Sequence, residues 1–201
     1  MAADDVDRTR RRFLTQATVV VGGAGIAATA VPFVASMSTS ARAQAAGAPI
    51  EVDISKIEPG QRVTYEWRGK PVWVVRRTER MLESLEEVRP RLADPDSERS
   101  AQPSYAANDY RAREERPSVL VLEAVCTHLG CSPSYRPEVA PADLGEDWLG
   151  GFFCACHGSR YDIAGRVYSG QPAPQNMAVP PFMYLSESRL LIGNDDPQQQ
   201  G

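Results

Sequence analysis

The sequence has little of the residues that define several large classes of protein. Its 201 residues include only two histidines, four cysteines and two lysines, Lys56 and Lys70. Acidic residues outnumber basic ones, 26 to 22, and no basic stripe with interleaved aromatic residues occurs, which argues against a nucleic-acid partner. The length allows one principal domain with appendages and excludes a large multidomain enzyme. Hydrophobic residues make up 42% of the chain, so it can bury a core.

Charged residues are also missing from one long segment near the N-terminus. No Asp, Glu, Lys or Arg occurs from Phe13 to Ala41, which would extend for about 44 Å as a helix. The hydrocarbon core of a bilayer is about 30 Å thick, so such a helix can cross it. We therefore predict a single transmembrane anchor over residues 13–37. Pro32 lies inside it and frees a backbone carbonyl that another group must satisfy.

The charged head, residues 1–12, ends in a run of arginines directly before the apolar segment. The string TRRRFL, residues 9–14, which contains the arginine pair Arg10 and Arg11, looks like a twin-arginine export signal. Arginines before an anchor also hold the N-terminus in the cytoplasm. Small residues at an A-x-A spacing, Ala41 and Ala43, would suit signal cleavage, but the apolar stretch exceeds the 7 to 15 residues usual in a cleaved signal. We predict a retained anchor in the bacterial inner membrane, with the rest of the chain in the periplasm.

Beyond the anchor, residues 38–49 are small and polar without apolar periodicity, which predicts a flexible hinge linker. Residues 50–201 predict an antiparallel β domain, because short β-branched and aromatic runs alternate with Gly and Pro. These runs cover residues 62–67, 71–75, 118–125, 151–154, 179–185 and 189–192. One inserted helix is predicted after a Thr78 cap, from apolar residues at helical spacing between Met81 and Leu92. Residues 93–117 are polar and aperiodic, and could be surface decoration or a partner contact.

All the cysteines and histidines fall in two short segments. The first reads CTHLGC and contains Cys126, His128 and Cys131; the second reads CACHGSRYD and contains Cys154, Cys156 and His157. Thiolates and imidazoles are ligands suited to zinc, copper or iron–sulfur centres, and two converging loops can form a cage for them.

Other interpretations of these six residues are weaker. A structural zinc site normally pairs C-x2-4-C with H-x3-5-H, whereas here each loop mixes Cys and His. A purely disulfide-bonded domain, with three possible connectivities, would leave both histidines unexplained. Cys–His nucleophilic catalysis has no use for duplicated Cys–His segments.

With these two motifs, the sequence resembles the Rieske iron–sulfur family, and within it the iron–sulfur subunits of cytochrome bc complexes. A third segment, GQPAPQN at residues 170–176, is similar to the proline-rich loop that covers the cluster in that family. The resemblance runs from the twin-arginine head to Asn194 and implies a Rieske-type β domain with a cluster-binding subdomain at about 124–178. It also implies one Rieske-type 2Fe-2S cluster.

The resemblance assigns roles to individual residues. Cys126 and Cys154 would hold one iron, His128 and His157 the other, and Cys131 and Cys156 would form a disulfide. Further roles are implied for hydroxyl groups that tune the cluster and for residues that cover it: Ser159 and Tyr161 for tuning, and Leu129, Gly130, Pro172, Ala173 and Pro174 for covering. Ala155 departs from the family, which often has Pro there, so this loop is less preorganised.

The function implied is electron transfer in a quinol:cytochrome c oxidoreductase. The cluster would take one electron from a quinol, expected to be ubiquinol, with a proton passing through His157, and movement of the head domain would carry the electron to a c-type cytochrome. The implied partners are a cytochrome b subunit and a c-type cytochrome subunit in a complex expected to be dimeric. The alternative is the small Rieske subunit of an exported molybdenum oxidoreductase such as arsenite oxidase. A ring-hydroxylating oxygenase would need further histidines for its mononuclear iron.

Overall fold

The computed structural model describes residues 7–38, 40 and 47–196. The chain divides into two compact units, Met1–Ala45 and Ala46–Gly201. The first six residues of the predicted head and most of the predicted hinge linker lie outside the described residues.

The described part of the N-terminal unit is dominated by one helix, α1, Arg8–Ser36. Asp7 caps it by accepting hydrogen bonds from the backbone N–H groups of Thr9 and Arg10. The helix continues through Pro32 and is long and apolar enough to cross a membrane. Three of its threonine hydroxyls donate to the helix's own carbonyls, so they need no water: Thr15 to Arg11, Thr18 to Leu14 and Thr29 to Gly25.

The second unit is built from three small antiparallel sheets, each of three strands. Their strands, numbered along the chain, are β1 Ile50–Asp53, β2 Arg62–Trp67, β3 Lys70–Arg76, β4 Val119–Glu123, β5 Ser134–Arg136, β6 Gly151–Cys154, β7 Ser159–Asp162, β8 Phe182–Tyr184 and β9 Arg189–Ile192. The strand orders are β1-β9-β8, β2-β3-β4 and β5-β6-β7. The predicted mainly antiparallel β fold with an N-terminal helix is therefore confirmed.

Local signals in the sequence account for the first hairpin and for the inserted helix. Strands β2 and β3 pair from Arg62↔Val75 to Trp67↔Lys70. Their two-residue turn has positive φ at Arg68 and Gly69, as tight hairpin turns require. The helix α2, Glu79–Val88, is capped by the Thr78 hydroxyl, which accepts from the N–H of Met81 at 3.3 Å, and a 3-10 turn at Arg89–Arg91 follows it.

The polar segment 93–117 packs against the domain. Ala106, Arg111 and Ala112 are fully buried. The Tyr105 hydroxyl accepts from the N–H of Phe182 at 2.7 Å and donates to its carbonyl at 3.0 Å. Arg111 donates to the carbonyls of residues 164 and 165, both at 3.3 Å. The segment is thus integral to the fold, and surface decoration does not describe it.

The main core lies between the sheets and ends beneath the two Cys–His segments. Trp73 of β3 stacks on Phe152 of β6 with ring centroids 5.1 Å apart, which joins the second and third sheets. Cys126, Cys154 and Tyr161 belong to the same buried cluster. The Cys–His segments are therefore held on the edge of a packed core.

Candidate metal centre

The two Cys–His segments fold into loops with the same backbone frame. The first loop, Cys126–Cys131, follows β4, and the second loop, Cys154–Ser159, joins β6 to β7. In each loop the carbonyl of the first cysteine accepts a hydrogen bond from a glycine N–H four residues later, from Gly130 at 3.0 Å and from Gly158 at 2.9 Å. Both glycines have φ near +80°, a conformation that side chains disfavour. Each loop is thus one closed turn.

The four cysteines fall into two classes. Cys131 and Cys156, one from each loop and 25 residues apart in sequence, form a disulfide that joins the loops. Cys126 and Cys154 are free and buried beneath the loops. The Sγ atoms of Cys131, Cys154 and Cys156 lie within 4.8 Å of one another. Since two of these sulfurs are bonded to each other, only Cys154 in that group can serve as a thiolate ligand.

The two imidazoles lie side by side at the outer face of the loops. The rings of His128 and His157 are 4.7 Å apart between centroids and nearly perpendicular. His157 is exposed and His128 is partly buried. The Nδ1 atom of His128 is buried without a hydrogen-bond partner in the described part of the chain. An orphaned imidazole nitrogen is costly unless a ligand occupies it, so this nitrogen is suited to bind a metal.

This donor set fits a Rieske-type cluster. Two buried thiols and two imidazoles near the surface could provide four ligands, two of each kind, which is the ligand set that distinguishes Rieske centres from all-cysteine clusters. The disulfide places the remaining cysteines outside the ligand set.

The two free thiols differ in their electrostatic surroundings. Burial opposes ionisation of Cys126, but hydrogen bonds from the Tyr161 hydroxyl and from the backbone of His128 outweigh it and lower the pKa of this thiol. For Cys154, burial raises the pKa, and the neighbouring Cys126 sulfur adds to the increase. Burial and the contact with Cys126 also raise the pKa of Tyr161, so its hydroxyl keeps the proton that it donates.

The two predicted tuning hydroxyls are both fully buried at the site. The Tyr161 oxygen lies 3.2 Å from the Cys126 Sγ and accepts from the Thr127 N–H at 3.1 Å. The Ser159 hydroxyl accepts from the Ala173 N–H at 3.2 Å and also lowers the pKa of Cys126. Hydroxyl groups at these positions can donate to sulfur atoms of a bound cluster.

The covering loop, residues 170–176, reaches the site through backbone groups. Its Ala173 is buried, whereas the flanking Pro172 and Pro174 are exposed. In the first loop, Leu129 is 71% exposed and Gly130 is exposed, so both form the tip of this loop next to His128.

The structure adds residues to the site that the motifs alone did not identify. The Thr127 hydroxyl donates to the Gln175 carbonyl at 2.6 Å and contacts the Tyr161 hydroxyl at 3.1 Å. Asn176 is buried at the end of the covering loop and accepts from the Val167 N–H at 2.9 Å. The signal available in the sequence was their position, inside the first motif or beside the proline-rich string.

The predicted export-signal residues belong to the N-terminal unit. Arg10 and Arg11 occupy the first turn of α1 and are exposed. The backbone N–H of Arg11 donates to the Asp7 carbonyl at 3.0 Å, so both arginines belong to the ordered start of the helix.

Comparisons with known proteins agree with this geometry. A family model described as "Rieske [2Fe-2S] domain" matches residues 107–182. Another, described as "Ubiquitinol-cytochrome C reductase Fe-S subunit TAT signal", matches residues 1–40. The first match contains both loops and the covering loop, and the second contains the predicted export signal and α1.

Individual relatives extend the similarity over nearly the whole chain. The ubiquinol-cytochrome c reductase iron-sulfur subunit of Allochromatium vinosum is 54% identical over 195 residues, which are 97% of this chain and 93% of that protein. The subunit of the same name from Blastochloris viridis is 43% identical over 194 residues, 96% of this chain and 97% of its own. Among solved structures, a chain of "Hyperthermophilic respiratory Complex III" is 26% identical with a TM-score of 0.47, covering 88% of this chain and 98% of that one.

The ligand chemistry of the two loops and the length of these similarities lead to one assignment: the chain belongs to the Rieske family of ubiquinol-cytochrome c reductase iron-sulfur subunits, and its cofactor is a Rieske-type 2Fe-2S cluster.

Proposed function

We propose that the chain is the electron-transfer subunit of a quinol:cytochrome c oxidoreductase, with Cys126 and Cys154 on one iron and His128 and His157 on the other. The single observation that carries the proposal is the convergence of two buried free thiols and two adjacent imidazoles, one of which has a buried, unpartnered nitrogen. When bound, the cluster supplies one-electron chemistry at a high potential, because neutral imidazoles replace two anionic thiolates.

The chain's own residues favour the reduced state further. A hydrogen bond donated to a ligand sulfur stabilises the extra negative charge that reduction brings. The Tyr161 hydroxyl is placed to donate to Cys126, and the raised pKa of this tyrosine keeps its proton in place. The Ser159 hydroxyl is buried beside the same thiol. Both residues therefore act as tuning groups in this proposal.

His157 is the proposed contact to the quinol. It is exposed, whereas the two ligand thiols are buried, so a substrate approaching the tip meets an imidazole first. Quinol bound in the cytochrome b subunit would donate its hydroxyl hydrogen to His157 while one electron enters this chain. The second electron leaves by another route in the complex. The imidazole releases the proton after the electron has passed to a c-type cytochrome.

The exposed Leu129 gives the tip an apolar contact beside His157. With Gly130, it would dock against the membrane subunit and exclude water from the hydrogen bond between quinol and imidazole. The exposed Pro172 and Pro174 extend this surface from the covering loop. We propose ubiquinol as the substrate, from the names of the relatives.

The proposed arrangement in the cell follows from the N-terminal unit. Among the described residues, α1 is the one helix long and apolar enough to cross a membrane, and it anchors the protein in this proposal. We propose that residues 1–12 are cytoplasmic, that 13–37 cross the inner membrane and that the domain from 50 to 201 lies in the periplasm. Residues 38–49 would be the hinge through which the domain moves between the quinol site and the cytochrome, in a complex with cytochrome b and c subunits that is dimeric.

The alternative, a small subunit of an exported molybdenum oxidoreductase, is less well supported. The similarity to the Allochromatium and Blastochloris subunits includes the N-terminal helix as well as the domain. Such similarity favours a retained anchor in a membrane complex.

Electron paramagnetic resonance of membranes containing the full chain tests the proposal. The ascorbate-reduced sample should give a Rieske signal, and an inhibitor that binds the quinol site should change its line shape, because it contacts His157. A signal that the inhibitor leaves unchanged would contradict the quinol contact. Absence of a signal from iron-replete protein would contradict the ligand assignment.

A further inference from the structure

The covering loop is hydrogen-bonded to a turn within residues 93–117, the polar segment whose role the sequence alone does not predict. This turn, residues 94–100, is organised by the Asp94 carboxylate. Its oxygens accept hydrogen bonds from the N–H groups of Glu98 at 2.9 Å and Arg99 at 3.1 Å, and from the Ser100 hydroxyl at 2.9 Å. Asp94 is 5% exposed, so these bonds are shielded from water. The 94–100 turn is a preorganised unit.

Asn176 connects the 94–100 turn to the covering loop. Its side-chain amide donates to the Asp94 carbonyl and to the Ser97 hydroxyl, both at 2.9 Å. Its own N–H donates to the Ser100 hydroxyl at 3.2 Å. The remaining amide oxygen accepts from the Val167 N–H at 2.9 Å. Asn176 is 1% exposed, so every one of these groups would cost free energy if its partner moved away.

Hydrogen bonds also link the covering loop to the tuning hydroxyls, directly to Ser159 and through Thr127 to Tyr161. The neighbouring carbonyl, that of Gln175, accepts the Thr127 hydroxyl proton at 2.6 Å. In the middle of the loop, the Ala173 N–H donates to the Ser159 hydroxyl at 3.2 Å. Thr127 and Tyr161 are in turn in contact through the Thr127 N–H and hydroxyl, each 3.1 Å from the Tyr161 oxygen.

These bonds hold the Tyr161 hydroxyl beside Cys126. The Thr127 hydroxyl has one proton, and it is directed to Gln175. The Thr127 N–H donates to the Tyr161 oxygen at 3.1 Å, which orients the phenol and holds this oxygen 3.2 Å from the Cys126 Sγ. If the Gln175 carbonyl moved, Thr127 would be free to rotate and Tyr161 would lose a fixed neighbour. The position of the covering loop therefore controls the strength of a hydrogen bond to a ligand sulfur.

We propose that Asn176, held by the 94–100 turn, is a positioning residue that sets the reduction potential of the metal centre through the covering loop and the hydroxyls of Tyr161 and Ser159. The inference rests on the proposed function, because it takes Cys126 as a cluster ligand. It gives the N-terminal part of segment 93–117 a role in tuning.

The test compares two variants with a matched control in the full chain in membranes. Asn176→Ala removes all the side-chain bonds, and Ser97→Ala removes one of them. Ser84→Ala is the control, since Ser84 is also buried but donates only to a carbonyl within α2. We expect redox titration of the Rieske signal to give lower midpoint potentials for Asn176→Ala and, by a smaller shift, for Ser97→Ala. Ser84→Ala should titrate like the wild type.

A second comparison tests the route. In a Ser159→Ala/Tyr161→Phe background, adding Asn176→Ala should leave the midpoint potential of the background unchanged, because the groups that transmit the effect are absent. If Asn176→Ala lowered the midpoint potential in this background as much as it does in the wild type, the effect would not pass through these two hydroxyls. Wild-type potentials for both Asn176→Ala and Ser97→Ala would overturn the inference. If Asn176→Ala does not accumulate, Ser97→Ala decides by the same criteria.

These outcomes are distinct from failure of the proposed function. That failure would be seen in the wild type, as the absence of a Rieske signal. The inference alone fails when the wild-type signal is present and the variants do not shift its potential.

Discussion

The first and second loops have the same backbone frame but different supports. Each is a turn closed by a hydrogen bond from a positive-φ glycine to the carbonyl of its first cysteine. The histidine comes two residues after that cysteine in the first loop and three after it in the second. The second loop is supported by the ladder between β6 and β7, in which Cys154 pairs with Ser159. The first loop is not part of a strand ladder, and it is supported by the Tyr161 side chain of β7 and by the Gln175 carbonyl of the covering loop.

This difference in support explains why the two free thiols differ. Around Cys126, the supporting groups are hydrogen-bond donors, and they lower the pKa of the thiol despite its burial. Around Cys154, burial dominates and raises the pKa. The same backbone turn thus holds two thiols whose pKa values are shifted in opposite directions. The first loop carries the tuning contacts, and the second presents the exposed histidine.

The largest expected effect concerns the feature that the two loops share, which is one proposed histidine ligand in each. His128→Ala and His157→Ala should each abolish the cluster, because each removes one of two ligands to the same iron. The measurements are iron content and the resonance signal of the purified chain. Leu129→Ala is the control, since this exposed neighbour is not a proposed ligand and its variant should keep the cluster. An intact cluster in either histidine variant would contradict the ligand assignment.

The next effect concerns the bond that joins the loops. Replacing Cys131 and Cys156 together by Ser removes a crosslink that closes a 25-residue separation. In the chain-entropy model such a crosslink contributes about 3.5 kcal/mol to the free energy of unfolding. We expect the double variant to lose its visible absorption at a markedly lower temperature. Thermal loss at the wild-type temperature would show that the core alone holds the loops together.

The comparison also shows what the sequence could predict. The motifs contained every proposed ligand, and the local signals of the β2–β3 hairpin and of α2 were sufficient. The strand patterns missed β1, β5 and β7. Strand β5 is three residues long, and β7 reads SRYD, whose polar residues hide a strand. Strand β1 pairs with β9, about 140 residues away, and no local pattern reveals such a partner.

The contacts that support the first loop also could not be predicted from the sequence. It depends on buried polar groups, such as Asn176 and Asp94, whose residue types are usual in exposed turns. Hydrophobic periodicity identifies cores that are apolar, so segment 93–117 showed no sign that Arg111 and Ala106 are buried.

A smaller effect is expected from the Tyr161 hydroxyl, which contacts Cys126 and so distinguishes this thiol from Cys154. Tyr161→Phe removes the hydroxyl beside Cys126 and leaves the ring. A hydrogen bond to a charged group contributes about 1.5 kcal/mol, which for one electron corresponds to a midpoint potential lower by about 60 mV. Tyr135→Phe is the matched control, since the Tyr135 hydroxyl donates to the Gly60 carbonyl at 2.8 Å, away from both thiols. Equal potentials for the two variants would contradict the tuning role.

The smallest effect concerns the position that follows the first cysteine in each loop. Ala155 is exposed and comes directly after the extended strand β6, and among the described residues its N–H makes no hydrogen bond. Proline is compatible with an extended preceding residue, so Ala155→Pro should stabilise the chain by about 0.4–1 kcal/mol through the unfolded state.

The equivalent substitution in the first loop should have the opposite sign. Thr127→Pro removes the N–H that the Tyr161 oxygen accepts and the hydroxyl that Gln175 accepts, so it should lower both the unfolding temperature and the midpoint potential. Thermal unfolding and redox titration of the two proline variants check the pair. Opposite signs would locate the difference between the loops in their backbone N–H groups. Destabilisation by both prolines would mean that the second loop also depends on a backbone donor, and that the two loops are supported more alike than their contacts indicate.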